Sequence, residues 1–169
     1  MEFSHIALRV KDIETMLNFY CKGLGFDEAF RIHNPDGSLR IVYIHITDGH
    51  YLELSLGGGY RIDFDDQQNL GFRHICFTVD HLEHTKKELE KKGIVFSSPI
   101  MKMKDENLAV YLFDPEKNKI ELVQTDKKSP QFLFEQQPKK ALKKKSPHDK
   151  SVGALGKHIA NKNDSYLLG

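Results

Sequence analysis

Residues 3–10 read FSHIALRV and residues 72–79 read FRHICFTV, two apolar runs each led by an aromatic and a histidine. His5 and His74 hold the same place, 69 residues apart. Outward from these runs the correspondence continues. Glu53 lies in YLELSL (51–56) and Glu121 in KIELVQ (119–124), at an offset of 68, which Val42-Tyr43 and Val110-Tyr111 share. A one-residue deletion soon after the first strand of the second copy reconciles the two offsets. Self-similarity at a fixed spacing marks a repeated structural unit and constrains the architecture more than any single motif.

Each copy predicts the same element order. Residues 3–10 have the β-branched and aromatic content of a strand. KDIETMLNFYCKGLGF then places Ile13, Leu17 and Tyr20 at helical spacing behind an Asp12 N-cap, with Gly23 and Gly25 ending the helix. Strands are expected near 27–33, 39–47 and 51–57, separated by the turn signals NPDGS and Asp48-Gly49. The second copy predicts a strand at 73–79, a helix over 81–92, and strands near 94–97, 108–113 and 119–124, with Asp114-Pro115 turning into the last. The fold class is therefore α+β, two tandem βαβββ modules at about 1–57 and 72–125. Residues 58–71 are the linker and 126–169 a basic tail expected to be mostly disordered. Phe132-Leu133-Phe134 is a candidate docking segment in that tail, and SVGALGKHIA a candidate helical turn.

Strand alternation sends His5, Ala7 and Arg9 to one face and Ile6, Leu8 and Val10 to the other. His74, Cys76 and Thr78 share a face in the same way. Glu53 and Glu121 each stand between two aliphatic residues, so each carboxylate points away from the leucines and isoleucines beside it. A carboxylate set uncompensated into a concave sheet costs several kcal/mol, and a divalent cation removes that cost. If the modules pack with approximate two-fold symmetry, His5, Glu53, His74 and Glu121 converge as the ligands of one ion in a curved mixed sheet. Imidazole suits zinc, nickel, cobalt and iron and carboxylate extends the range toward manganese, so the donor set does not choose among them; nickel or zinc is the first expectation. A single such residue on a strand is ordinarily satisfied or solvent-facing; four duplicated in register are the observation. His33, His45, His50, His81, His84, His148 and His158 have no duplicated partner and receive no role. Cys76 is expected to be a small buried residue beside the site.

Composition narrows the classes. With 169 residues, 39% hydrophobic and 29% charged, the chain has enough material for one domain with a real core. No apolar stretch approaches a membrane span, and the N-terminus shows no signal-peptide pattern. Two cysteines in unrelated contexts make no disulfide framework, so a cytoplasmic setting is expected. Residues 1–125 carry 15 basic and 20 acidic side chains, a net −5, while residues 126–169 carry ten lysines and four acids, a net +6. The basic excess thus sits in the tail, and neither nucleic acid nor membrane is an expected partner.

These segments resemble the vicinal-oxygen-chelate superfamily, and within it most the glyoxalase I (lactoylglutathione lyase) family. HIALRVKDIETMLNFYCKGLGF is similar to that family's opening, and YLELS, FRHICFTV and DPEKNKIELV to its other ligand-bearing segments. The resemblance covers about residues 3–125. It implies a homodimer in which His5 and Glu53 of one chain face His74 and Glu121 of another around one divalent ion. It also implies isomerisation of the hemithioacetal of methylglyoxal and a thiol into a thioester. On this resemblance Glu121 is the base, Glu53 a ligand that also moves protons, and Arg9 the partner of a substrate carboxylate. Two positions depart from the family. Ser55-Leu56-Gly57-Gly58 stands where an asparagine commonly helps bind glutathione, and Lys117 replaces the glycine of the DP-x-G turn.

Other members of the superfamily frame the alternatives. Methylmalonyl-CoA epimerase usually has glutamine at the Glu53 place. Ring-cleaving dioxygenases and fosfomycin-modifying thiol transferases use three ligands. The bleomycin-sequestering proteins bind a small molecule without metal ligands at these positions.

Overall fold

A computed structural model of the chain describes residues 2–59 and 70–137. The first module runs β1 (His5–Val10), α1 (Ile13–Leu17), β2 (Asp27–His33), β3 (Leu39–Thr47) and β4 (His50–Leu56). The second runs β5 (Ile75–Thr78), α2 (Leu82–Lys91), β6 (Met101–Lys102), β7 (Leu108–Phe113) and β8 (Lys119–Gln124). Each module builds one four-stranded mixed sheet, ordered β1-β4-β3-β2 and β5-β8-β7-β6. In both, the first strand lies parallel to the last and the remaining neighbours are antiparallel. The two βαβββ modules expected from the repeat are therefore present, with matching strand orders.

Local sequence explains most boundaries. Asp12 caps α1 by accepting from the Thr15 N–H at 3.1 Å, the side-chain service that helix N-termini require. The helix widens into a π-helical segment over Asn18–Gly23, where the Leu24 N–H reaches the Phe19 carbonyl at 2.9 Å. Periodicity alone predicts a plain α-helix here. Gly23 ends this segment close to Ile94, whose Cδ1 would stand 3.1 Å from a Cβ there and would have to give by a few tenths of an ångström.

The second module departs from expectation at one strand. No strand occupies 94–97; Phe96 makes an isolated bridge with Leu112, and the pairing resumes only at Met101–Lys102. Pro99 supplies no N–H to a ladder. Ser98 takes over part of that duty, its Oγ accepting from the Tyr111 N–H at 3.0 Å.

One apolar core unites both modules. Leu52 and Leu54 of β4 and Ile120 and Leu122 of β8 are all buried in it, with Ile13, Met16, Tyr20 and Leu82. Each such aliphatic side chain contributes about 1.5–3 kcal/mol by leaving water. At the junction Phe26 packs against Phe77 at 5.0 Å between ring centres. Tyr20 donates to Asp114 Oδ2 at 3.0 Å, and the backbone N–H groups of Lys11 and Asp12 donate to Glu116 Oε1. The modules thus meet through the aliphatic faces and helices, which leaves the opposite faces of the sheets outward.

The turn at 114–118 carries a measurable strain. Lys117 has a φ of +68°, although its N–H still closes the turn on the Asp114 carbonyl at 2.9 Å. A side chain in the left-handed region costs about 1–2 kcal/mol. Lys117→Gly is expected to raise unfolding free energy by roughly 0.5–1 kcal/mol after glycine's own entropy is counted. A urea titration reads this directly; a less stable variant would refute it.

Part of the stretch read as tail is folded. Asp126 N–H donates to Asn107 Oδ1 at 2.9 Å, Ser129 is buried, and α3 spans Pro130–Glu135. The expected docking segment lies in α3, where Leu133 and Phe134 are exposed and Phe132 is half-buried. Residues 138–169, which include the lysine cluster and SVGALGKHIA, lie outside the described residues. No helix among those described is long and apolar enough to cross a membrane.

Candidate metal and substrate site

Strand register brings each histidine to its glutamate. In the first sheet Ala7 is opposite Glu53, which puts His5 two residues away on the same face, its Nε2 at 3.7 Å from Glu53 Oε2. In the second sheet Cys76 is opposite Glu121, and His74 Nε2 stands 3.0 Å from Glu121 Oε2. The arrangement is similar in both: a parallel pair of strands, a histidine at the start of one (His5 opening β1, His74 just ahead of β5) and a glutamate diagonally beyond it on the other. Burial is graded alike. The glutamates are 15% and 13% exposed and the histidines 38% and 36%, so each carboxylate is sunk in the sheet and each imidazole stands at the rim.

A tyrosine completes each pair. Tyr43 is opposite Glu53 on the antiparallel neighbour and donates its hydroxyl to Glu53 Oε2. Tyr111 is opposite Glu121 and donates to its Oε1 at 2.9 Å. The hydrogen bond to Glu53, followed by desolvation, pushes the Tyr43 phenol up. Desolvation, then the bond to Glu121, pushes Tyr111 up to about 12. Both phenols therefore remain protonated donors at neutral pH. These tyrosines were visible in sequence as a duplicated Val-Tyr pair, but nothing in their local context assigned them to the site. Only cross-strand register does so.

Cys76 is exposed on the outward face rather than buried, because the face it shares with His74 is not covered within the protomer. Desolvation by its neighbours and the Glu121 charge still push its thiol up to about 12, which keeps it protonated. Arg9 lies on the His5 face opposite Ser55. Its side chain lies over the loop after β4, where a Cβ on Gly58 would stand 3.4 Å from Arg9 Cδ. The Ser55-Leu56-Gly57-Gly58 departure is thus the floor on which Arg9 lies.

The two His–Glu pairs do not meet within one protomer. Among the described residues no three His, Cys, Asp or Glu side chains stand close enough to hold one metal ion. The reason lies in the packing: the shared core takes the aliphatic faces, and the ligand faces point out. The first outward face is aromatic as well as polar. Phe30 stacks on Tyr43 at 4.6 Å, and Tyr51 meets both edge-on. Phe30 and Ile32 are 46% and 41% exposed there. A cleft of about 430 Å³ lined by His81, Glu83, His84, Lys87, Leu108 and Gln124 contains none of the four ligand candidates.

Residues 2–122 match the family model of the Glyoxalase/Bleomycin resistance protein/Dioxygenase superfamily. The chain belongs to this superfamily. A lactoylglutathione lyase of Schizosaccharomyces pombe is 29% identical over 150 residues, covering 76% of this chain and 49% of that protein. The chain thus spans about half the length of that relative. A Pseudomonas aeruginosa protein of the same name is 28% identical, with 72% of this chain and 81% of the relative covered. Among solved structures, a glyoxalase family protein from Enterococcus faecalis superposes with a TM-score of 0.62 at 24% identity, covering 72% of this chain and 96% of that one. These likenesses support the superfamily fold independently of the four ligand candidates.

Proposed function

We propose that the protein is a metal-dependent isomerase of the glyoxalase I type, converting the hemithioacetal of methylglyoxal and a thiol into a thioester. The observation that carries the reading is the matched pair of half-sites, each a histidine, a sunken glutamate and a tyrosine on an outward sheet face. The donor chemistry, two imidazoles and two carboxylates, fits a divalent ion: zinc, nickel, cobalt, iron or manganese. His5, Glu53, His74 and Glu121 would hold it. Such an ion supplies Lewis acidity toward two neighbouring substrate oxygens.

The rest of the chemistry falls to the chain. The Glu121 carboxylate takes the proton from the carbon bearing oxygen and sulfur, alpha to the ketone, and returns it to the neighbouring carbon. The hydroxyl proton moves to the other oxygen with Glu53 as its carrier, so the product is an isomer with no net loss of atoms. Arg9, resting on Gly58, offers its guanidinium to a carboxylate of the thiol. The aromatic face around Phe30 and Tyr51 shields the reacting carbons from water. The relatives named lactoylglutathione lyase support this choice over epimerase, dioxygenase or thiol-transferase chemistry and over a non-catalytic binding protein.

Because each protomer carries two separated halves, the site is completed by a second copy. Two defective variants test this. His5→Ala and His74→Ala homodimers have every site damaged. Mixed and re-equilibrated, they form heterodimers in which one of two sites has all four ligands, so metal-reconstituted protein is expected to recover roughly a quarter of wild-type turnover by simple subunit statistics. No recovery, with mixed dimers verified by mass, would place the site within one chain. Thioester formation from methylglyoxal and glutathione, followed by absorbance, tests the chemistry itself; bound metal without turnover would reject it.

A further inference from the structure

The two modules differ at the start of their helices. In the first, the backbone N–H groups of Lys11 and Asp12 donate to one carboxylate oxygen, Glu116 Oε1, at 2.7 and 3.0 Å. Glu116 comes from the β7–β8 turn of the other module. The start of α1 is thus an occupied carboxylate nest, of the kind that backbone donors and the helix dipole make together. Asp12 and His81 are the N-caps of α1 and α2, at the same offset of 69 as His5 and His74. The matching donors of the second module are therefore the N–H groups of Asp80 and His81, which meet no acceptor among the described residues. The β3–β4 turn, which would have to supply a counterpart of Glu116, closes within Asp48-Gly49, and among the described residues no acid from it bonds to α2.

At that place the second module has the cleft of about 430 Å³ between α2 and the sheet. Leu108 and Gln124, which line it, pair with each other and alternate away from Tyr111 and Glu121, so the cleft opens on the face opposite the His74 half-site. Its lining has changed in the direction an anion needs. His81 and His84 stand where the first module has Asp12 and Thr15, whose mutual hydrogen bonds cap α1 from within. Lys87 follows one turn on. Among the described residues none of these three side chains makes a hydrogen bond or ion pair, and His81 gives α2 no side-chain cap. Gln124 Oε1 accepts from the Leu82 N–H at 2.8 Å, which fixes the amide and leaves its Nε2 hydrogens as donors. Glu83 is an acid of the lining, in the place of Glu14, which stands on α1 beside the Glu116 carboxylate and turns to Arg31 at 3.1 Å.

We propose that this cleft is a binding site for a small carboxylate, the second module taking from solution the group that the first receives from Glu116. The Asp80 and His81 N–H groups hold one oxygen, as those of Lys11 and Asp12 do in the twin. Gln124 Nε2 and the Lys87 ammonium take the other, with Lys87 supplying the compensating charge. Nothing in this depends on the isomerase reading, because the site is remote from the ligand faces and its occupant does not react.

The test is amide NMR on the 15N-labelled full-length chain, titrated with sodium acetate and, at matched ionic strength, with sodium chloride. Acetate is expected to shift the Asp80 and His81 amides and the Gln124 side-chain amide saturably, with a dissociation constant on the order of 1–10 mM. Lys11 and Asp12, already holding Glu116, are expected to stay still and serve as the internal control. Lys87→Gln is expected to weaken binding about three- to tenfold, the share of one charge-assisted contact. His81→Asp restores the cap residue of the first module and is expected to abolish binding, because the helix then carries its own carboxylate. That variant strengthens a helix end, so loss of the fold does not confuse the reading. Shifts that stay linear to about 100 mM (over tenfold the expected constant), that chloride reproduces, or that both variants leave unchanged overturn the proposal. Binding of a glutamate-containing peptide in the absence of any acetate response also overturns it, since the occupant would then be a protein partner.

Discussion

Glu121→Gln is expected to lower thioester formation from methylglyoxal and glutathione by roughly 10²–10⁴-fold, the span that a positioned acid–base group contributes. The substitution is nearly isosteric, and the amide oxygen still accepts from the Tyr111 hydroxyl, which in the native chain lies 2.9 Å from Oε1. What disappears is the negative charge and the basic oxygen facing His74 Nε2 at 3.0 Å. The aliphatic neighbours Ile120 and Leu122 keep the position in place from the core side, so the sheet is expected to survive. Metal content measured beside turnover divides the loss. A variant that keeps its ion yet loses turnover has lost the base, whereas one that loses both has lost a ligand. Turnover within about tenfold of wild type would remove Glu121 from the chemistry.

Asp114→Ala is expected to be the most damaging change away from the site, costing about 3 kcal/mol of stability and lowering the melting temperature by about 6–12 °C. Asp114 is 2% exposed and gathers donors from both modules. Its Oδ2 accepts from the Tyr20 hydroxyl at 3.0 Å and from Asn118 Nδ2 at 2.7 Å, and its Oδ1 from the Asn118 backbone N–H at 2.7 Å. Truncation strands these groups where water does not replace the carboxylate. Tyr20→Phe removes one donor only and is expected to cost about 1 kcal/mol.

The pH dependence has a definite sign. Burial lifts the Asp114 carboxyl above its ordinary range, with the Asn118 and Tyr20 hydrogen bonds offsetting part of the rise. A carboxyl raised on folding binds more protons in the native state than in the unfolded one. Its contribution is therefore greatest below the ordinary carboxylate value and falls as pH rises through the raised one. Asp114→Asn should flatten that slope in melts recorded across the acid range, and an unchanged slope would show that another group produces it.

Several elements could be read without any coordinates. The Asp12 cap, the hairpin at Asp48-Gly49 and the runs of β3, β4, β7 and β8 are local signals, and they fall within a residue or so of their expected places. The failures share a cause. The strand expected at 94–97 shrinks to a bridge at Phe96 and the Ser97 N–H on the Tyr111 carbonyl, with Ser98 Oγ replacing a backbone partner for the Tyr111 N–H. The widened turn at Asn18–Gly23 ends against Ile94, some seventy residues on, which no local signal announces. Cys76 turned out exposed because whether a strand face is covered depends on what packs there and not on the strand.

That His5 neighbours Glu53 and His74 neighbours Glu121 follows from the duplicated register and from strand alternation, a local property of the backbone that sends each histidine and its glutamate to a common face. Tyr43 and Tyr111 acquired their meaning only from cross-strand pairing, which links residues ten apart through a turn whose exact register local sequence does not state. The separation of the two half-sites was likewise a tertiary decision. The repeat is equally compatible with modules that meet through their polar faces and modules that meet through their aliphatic ones. Burial of Leu52, Leu54, Ile120 and Leu122 in one shared core selected the second, because removing aliphatic surface from water outweighs enclosing unpaired carboxylates without an ion.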